Sequence, residues 1–536
     1  MSRFLRASLV AIAIAAIAFC VGFYSGFRKN FIFDGIVKTV RYLAPNEPVP
    51  PAPQLHLDLS DRALLDSTLL PLRQTDFQIT REDGAPLQMV ALAPAGGDAA
   101  VLLSSDGVLF RIAIGSCQDA GCVRQIGRLA RPDGAMLDDI YDLVSVDAGS
   151  GREWYVSYGQ EDRTGFNKSL VISRIPMQRA ETAGDIVAVD EPLFRSRSFS
   201  LENGHAARAG GGAMVHDPGD DNLIVTVGDY SLNGIGNVYS GAVPPPQSPD
   251  SDLGKILRID RKTGESRIIS MGHRNQQGLS LSPDGELIST EHAAKGGDEI
   301  NLIRQGGNYG WPNVSMGTVY GTYRFPSKPL DPEEDHGGYT APIEAYLPSP
   351  GISDVIHVHD FHEAWDGDLM VATLKARSLF RVRRWKTGSY TEQIYIGDRL
   401  RDLAIIQGQM ALVTDSGKVI LLDPVEDLDL VSSDTGLNTN LNALAECGSC
   451  HNVNYPVSSP AAPHLRNILG RPIASAEDYD GYSEGLLARR AQTWTQEALE
   501  AYLRAPQGFA PGTAMPDLGL SDEQIAELMS QLPLLR

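Results

Sequence analysis

The chain has 536 residues, 42% of them hydrophobic, too long for one ordinary core and apolar enough for two or three folded units. Its 46 Lys and Arg stand against 67 Asp and Glu, and the formal net charge of −21 argues against nonspecific nucleic-acid binding. The 53 glycines and 33 prolines favour many turns over long helical runs.

Residues 1–30 read as a membrane anchor. The run from Ala7 to Phe27 carries no charge over 21 residues and ends in Arg28 and Lys29. A helix of that length crosses about 30 Å of hydrocarbon. A cleaved secretory signal is the other reading, but its apolar region is usually shorter and ends in a small-residue cleavage motif. Residues 31–69 follow as a proline-rich spacer and lead-in, extended and stiff.

From 70 to 425 the texture changes to short β-rich runs divided by Gly, Asp, Asn and Pro, as in VLLSSDGVLFRIAIG, LSLSPDGELIS and QMALVTDSGKVILLD. No Rossmann glycine pattern opens a βαβ unit. A radially repeated antiparallel fold buries so many short strands without bare edges, so the pattern favours a β-propeller over a pair of β-sandwiches. Cys117 and Cys122 bracket a small polar loop and are spaced either for a short disulfide or for metal ligands. Polar side chains crowd into 270–317, where His273, Arg274, Asn275 and Gln277 precede a strand pattern and Glu291, His292, Asp298 and Glu299 follow it. Such a set suits a lined cavity. Lys375 follows another strand, and Arg399 and Arg401, two apart, share a face if that segment is extended. Converging cations suit a ligand bearing carboxylates.

Residues 426–536 form a linker and a small helical domain. ECGSCHNVNYP places Cys447, Cys450 and His451 in a C-x-x-C-H spacing, the attachment signal of a c-type haem, with a redox dithiol as the competing use. Met515, 64 residues after His451 on a Pro/Gly-shaped loop, is a second axial ligand or else a core residue.

With CGSCH, APHLRNILGR, YSEGL, Trp494 and PGTAMP in place, 432–536 resembles class I cytochrome c. The resemblance implies thioether bonds at Cys447 and Cys450, with His451 and Met515 as axial ligands of a covalent haem c. SDLGKILRID, GHRNQQGL, EHAAKGGDEINLI and GGNYGWP make 70–425 resemble the soluble PQQ-dependent sugar dehydrogenases, a quinoprotein family. That resemblance implies a six-bladed β-propeller with PQQ and calcium above its central channel, Arg274, Asn275, Gln277, Lys375, Arg399 and Arg401 holding the quinone. It also puts calcium on the backbone carbonyls of Ala293 and Ala294, where the family has Gly-Pro. The family's base is a histidine shortly before paired glycines. In SLENGHAARAGGGAMVH the gapless match at that position is Arg208, which is no ordinary base, and His205 reaches it only past a small insertion.

The expected architecture is thus an N-terminal transmembrane helix, an all-β six-bladed propeller and a small all-α cytochrome c domain. The expected activity is oxidation of a sugar or related alcohol or aldehyde, with electrons passed to the haem and on to a downstream cytochrome, quinone-pool or terminal-oxidase acceptor. Haem attachment outside the cytoplasm, a family-level inference, places the soluble domains in the periplasm on an inner-membrane anchor. The other reading is a catalytically inactive propeller serving as a binding or assembly module beside an electron-transfer cytochrome.

Overall fold

Short runs of Val, Ile and Leu, separated by turns in which Gly107, Gly285 and Gly417 take φ of +84°, +90° and +80°, pair into six sheets. This computed structural model describes residues 55–532 apart from 66, 68, 82–85, 117–121, 138, 150, 163–166, 201–208, 236–242, 319–335, 387, 426–446, 448–450, 453–457, 460–461 and 477. The apolar run 7–27 lies outside the described residues, and no described helix is long and apolar enough to cross a membrane. The chain divides into two compact units, Met1–Pro424 and Val425–Arg536.

The six innermost strands are Met89–Gly96, Ile140–Asp147, Gly211–Asp217, Gln276–Leu281, Ile352–His357 and Leu400–Ile406. Each packs against the next and the last against the first, which closes a six-bladed β-propeller around a central channel. Closure draws on both ends of the unit. Leu72–Arg81 pairs antiparallel with Lys418–Pro424 in the sheet whose inner strand is Leu400–Ile406.

Every innermost strand carries a register shift within its first few residues. A bulge re-aims side chains and bends the strand. In three blades the third residue is an aspartate that reaches the neighbouring blade. Asp142 Oδ2 accepts from Met214 N at 2.6 Å, Asp402 Oδ2 from Leu92 N at 2.6 Å, and Asp354 Oδ2 from Leu403 N at 3.4 Å. Burial, and for Asp142 and Asp354 the charge of Asp402, pushes these carboxyls above their ordinary range. Apolar side chains such as Val156, Val171, Leu129 and Trp154 fill the space between sheets.

The C-terminal unit packs the helices Gln496–Arg504 and Asp522–Gln531 over Ile473, Trp494, Leu499, Leu503, Ile525 and Leu528. Thr495 caps the first through Ala498 N at 3.1 Å. Ser521 and Gln524 form a reciprocal capping box on the second. Of the segment leading into the C-x-x-C-H spacing, 426–446 and 448–450 lie outside the described residues, and Cys447 itself is helical. Cys122 is disulfide-bonded, and Cys117 lies outside the described residues.

Candidate functional site

The second residue of several inner strands opens onto one cavity of about 260 Å³. Val90, Tyr141, Gln277, Ser353 and Arg401 come from five blades, joined by Asn275 and Asp139. Gly210, Gly211 and Ala213 supply the sixth side, where the chain emerges from 201–208. His205 and Arg208 lie in that segment, outside the described residues.

The expected cofactor set is divided by the fold. Asn275, Gln277 and Arg401 meet in the cavity. Asn275 Oδ1 accepts from Gln277 Nε2 at 3.0 Å and from Gly211 N at 3.3 Å. Arg401 and Arg399 both ion-pair with Asp415, Arg399 Nε at 2.6 Å. Burial raises the Asp415 carboxyl, but the hydrogen bonds from Arg401 and Arg399 outweigh it and hold its pKa below the usual range. Lys375 is exposed, outside the cavity's lining.

Arg274 turns away into a small neighbouring chamber with Glu291, Ala293, Glu299 and Trp311. Its Nη1 donates to His292 O at 2.9 Å and Ala293 O at 2.5 Å, and its guanidinium lies 5.6 Å from the Trp311 ring centroid. Glu291 fixes the backbone there. It accepts from Arg274 N and, at 2.9 Å, contacts His273 Nδ1, while His273 Nε2 reaches Ser270 Oγ at 2.8 Å. Burial, then the charge on Glu291, pushes the Glu299 carboxyl up to about 8. Asp298 is committed to the fold, accepting from Ser349 Oγ at 2.8 Å, Gly351 N at 2.9 Å and Ile352 N at 3.1 Å. Of the expected calcium pair, the Ala293 carbonyl and its neighbour His292 converge on one cationic group. Oxygens so arranged suit a hard cation, and calcium would compete with Arg274 for them.

The donor set of the cavity also fits a planar polycarboxylate. Two amides, a hydroxyl and a guanidinium line one space, and Asp415 stands in for a carboxylate on the paired arginines.

In the C-terminal unit a second cavity of about 210 Å³ brings Cys447, His451 and Met515 together among Leu465, Trp494 and Tyr502. His451 Nδ1 donates to Pro463 O at 2.7 Å, which fixes the tautomer and leaves Nε2 as an acceptor for a metal. Burial lowers the pKa of this imidazole, favouring the neutral form that ligation needs. A buried hydrogen bond of 2.6 Å between Tyr502 Oη and Thr513 Oγ1 anchors the loop carrying Met515. Arg471 lines the same cavity, and its buried Nε has no hydrogen-bond partner among the described residues, so an anionic group is called for there. Thiol, imidazole, thioether and a waiting cation fit a haem with its propionates. Cys450 lies outside the described residues.

Sequence reasoning missed Asp139, Tyr141, Lys168 and Asp415. Lys168 Nζ and Tyr141 Oη both bind Asp139 Oδ2, the latter at 2.8 Å. A signal existed: hydrophobic-x-Asp-hydrophobic recurs at 140–143, 352–355 and 400–403, marking three strand starts at the channel.

Residues 130–422, more than half of the chain, match the family model described as Glucose / Sorbosone dehydrogenase. The chain is 33% identical over 137 residues to quinoprotein glucose dehydrogenase B of Acinetobacter calcoaceticus, covering 21% of this chain and 28% of that protein. It is 36% identical over 84 residues to cytochrome c-550 of Ancylobacter novellus, 15% of this chain and 78% of that one. The crystal structure of the apo soluble aldose sugar dehydrogenase of Escherichia coli aligns over 70% of this chain and all of its own, with a TM-score of 0.51 at 20% identity, a likeness of fold. The chain spans between 28% and 60% of the length of the first curated relatives it matches.

Proposed function

This chain belongs to the glucose/sorbosone dehydrogenase family and carries a cytochrome c homologue in its C-terminal region, and from that premise we propose that it is a quinohaemoprotein dehydrogenase acting on a sugar or a related alcohol or aldehyde. The observation that carries the reading is the polar cavity of Asn275, Gln277, Ser353 and Arg401 at the channel of a closed propeller, on a chain that also gathers Cys447, His451 and Met515 around an apolar one.

PQQ bound with calcium supplies a two-electron, hydride-accepting quinone, and haem c takes electrons one at a time. Arg401 and Arg399, now paired with Asp415, would hold the cofactor's carboxylates, like partners for the same guanidiniums. Asn275 and Gln277 would donate amide hydrogens, and Arg274 stands beside the His292 and Ala293 carbonyls that would hold the cation. A base at the cavity takes the substrate's hydroxyl proton. Carrying the acceptor on the same chain raises its local concentration without requiring a tight interface.

The apolar run Ala7–Phe27 supports an inner-membrane anchor, and the C-x-x-C-H site supports a periplasmic location with a downstream cytochrome, quinone-pool or terminal-oxidase acceptor. Arg208 at the family's base position favours the second reading, a propeller that binds without turnover.

The test uses the full chain with oxidised haem, reconstituted anaerobically with PQQ and calcium and offered aldoses, alcohols and aldehydes. Haem reduction that needs both substrate and PQQ is the expected result. Reduction by dithionite but by no substrate, with no PQQ taken up, would sink the dehydrogenase and leave the binding module.

A further inference from the structure

Three ionisable side chains line the propeller cavity among the described residues: Asp139, Tyr141 and Arg401. Arginine cannot release its proton near neutral pH. Tyr141 is committed as a donor to Asp139 Oδ2 and receives the Tyr230 hydroxyl at 3.3 Å. Burial, then the neighbouring Tyr230 and Asp139, holds its pKa well above 10, so it stays a neutral phenol. Asp139 is left. Its carboxylate is 39% exposed, and both partners, Tyr141 and the 7% exposed Lys168, sit on Oδ2. Oδ1 carries no hydrogen bond among the described residues.

The backbone is shaped to hold it. Asp139 adopts φ +53°, a left-handed conformation uncommon outside glycine, and its carbonyl accepts from Gly159 N at 2.9 Å. A Cβ at Gly159 would lie 1.9 Å from Asp139 Oδ2, and one at Gly212 would lie 2.4 Å from Tyr141 Cβ. Those glycines let the Asp139–Tyr141–Lys168 cluster form beside the chain leaving 201–208.

Resting on the dehydrogenase reading above, we propose that Asp139, through Oδ1, is the catalytic acceptor of the substrate's hydroxyl proton, the role that His205 was expected to fill. The O–H bond breaks with its proton going to Oδ1, and the C–H electron pair leaves as hydride to the quinone oxidant. A carbon–oxygen double bond forms, giving lactone from a cyclic aldose. Lys168 and Tyr141 stay on Oδ2, which orients the free oxygen.

The full, PQQ- and calcium-loaded chain serves for the test in three forms: wild type, Asp139→Asn and Asp139→Gly, the last suited to the left-handed backbone. Folding is checked by circular dichroism and PQQ uptake by absorbance. Substrate-driven haem reduction is expected to fall roughly 10²–10⁴-fold in both variants, and added formate is expected to restore Asp139→Gly at least about tenfold. The second readout is calorimetric binding of the aldose panel to pre-reduced protein, which cannot turn over; loss of a charged acceptor should weaken it about tenfold or more in Asp139→Asn. Turnover within about threefold of wild type, or a loss formate does not recover with aldose affinity unchanged, overturns the proposal. So does a loss in His205→Ala as large as that in Asp139→Asn. If wild-type haem is reduced by no substrate, the dehydrogenase reading falls by itself. Calorimetry then decides Asp139 alone: unchanged or absent aldose binding overturns it, and weakened binding in Asp139→Asn upholds its hydroxyl contact.

Discussion

Arg381 is fully buried, yet every face of its guanidinium is answered. Nε meets Glu392 Oε2 at 2.7 Å, Nη1 meets Asp368 Oδ2 at 2.7 Å, Nη2 donates to Tyr390, and Trp365 lies under the cation at 5.3 Å. Removing Arg381 takes away the fully buried guanidinium with which Glu392 and the buried Asp368 both ion-pair, the costly case of breaking a buried pair, although Asp368 keeps Arg383. Arg381→Met should therefore cost about 3–5 kcal/mol, read as a lower urea midpoint with an unchanged slope. At this scale the C-x-x-C-H spacing was legible and the placing of Asp139 at the cavity was not. Cys447, Cys450 and His451 are neighbours along the chain, so their spacing carries the chemistry. Asp139 gains its meaning from Lys168, Gly159 and Gly212, none of which is near it in sequence, and no motif records that approach.

Each inner strand must tie its blade to the next, and three do so with an aspartate. Asp354 has the weakest of these links, at 3.4 Å, and burial with the charges of Asp402 and Asp142 holds its carboxyl well above the ordinary range. In the unfolded chain it ionises near pH 4 (roughly). Between that value and the raised folded pKa the native state binds more protons, so stability falls as pH rises through the window. Asp354→Asn removes this loss while keeping an oxygen for Leu403 N. It should be more stable than wild type above the window by on the order of 1 kcal/mol, the gap closing toward about pH 4, as measured by denaturant melts across pH. The strands themselves were readable from Gly- and Asp-punctuated apolar runs. The blade count was not, because the hydrophobic-x-Asp-hydrophobic repeat marks only three of six inner strands. The others begin at Met89, Gly211 and Gln276 and need no carboxylate to pair.

For the whole molecule, closure of the ring is the decisive contact. Leu72–Arg81 sits between the strand Leu55–Leu65 and three strands drawn from 400–424, and without it Lys418–Pro424 presents an open edge and Phe77 and Ile79 leave a shared core. A chain beginning after residue 82 should lose protected amides throughout the ring in hydrogen exchange. One ending at 425 should keep them, the helical unit having its own core around Trp494 and Leu528. The sequence by itself determined the strand-rich propeller texture, the haem-binding spacing and the segments that would supply amides and arginines to a cofactor. All of these are written in neighbouring residues or in short periods. Only the tertiary structure decided that Asn275, Gln277 and Arg401 share a cavity with Asp139 while Arg274 turns into the next chamber and Lys375 stays outside. The reason is geometric: ring closure brings the first residues of six distant strands to one mouth, and the bulge in each strand sets which side chain enters it.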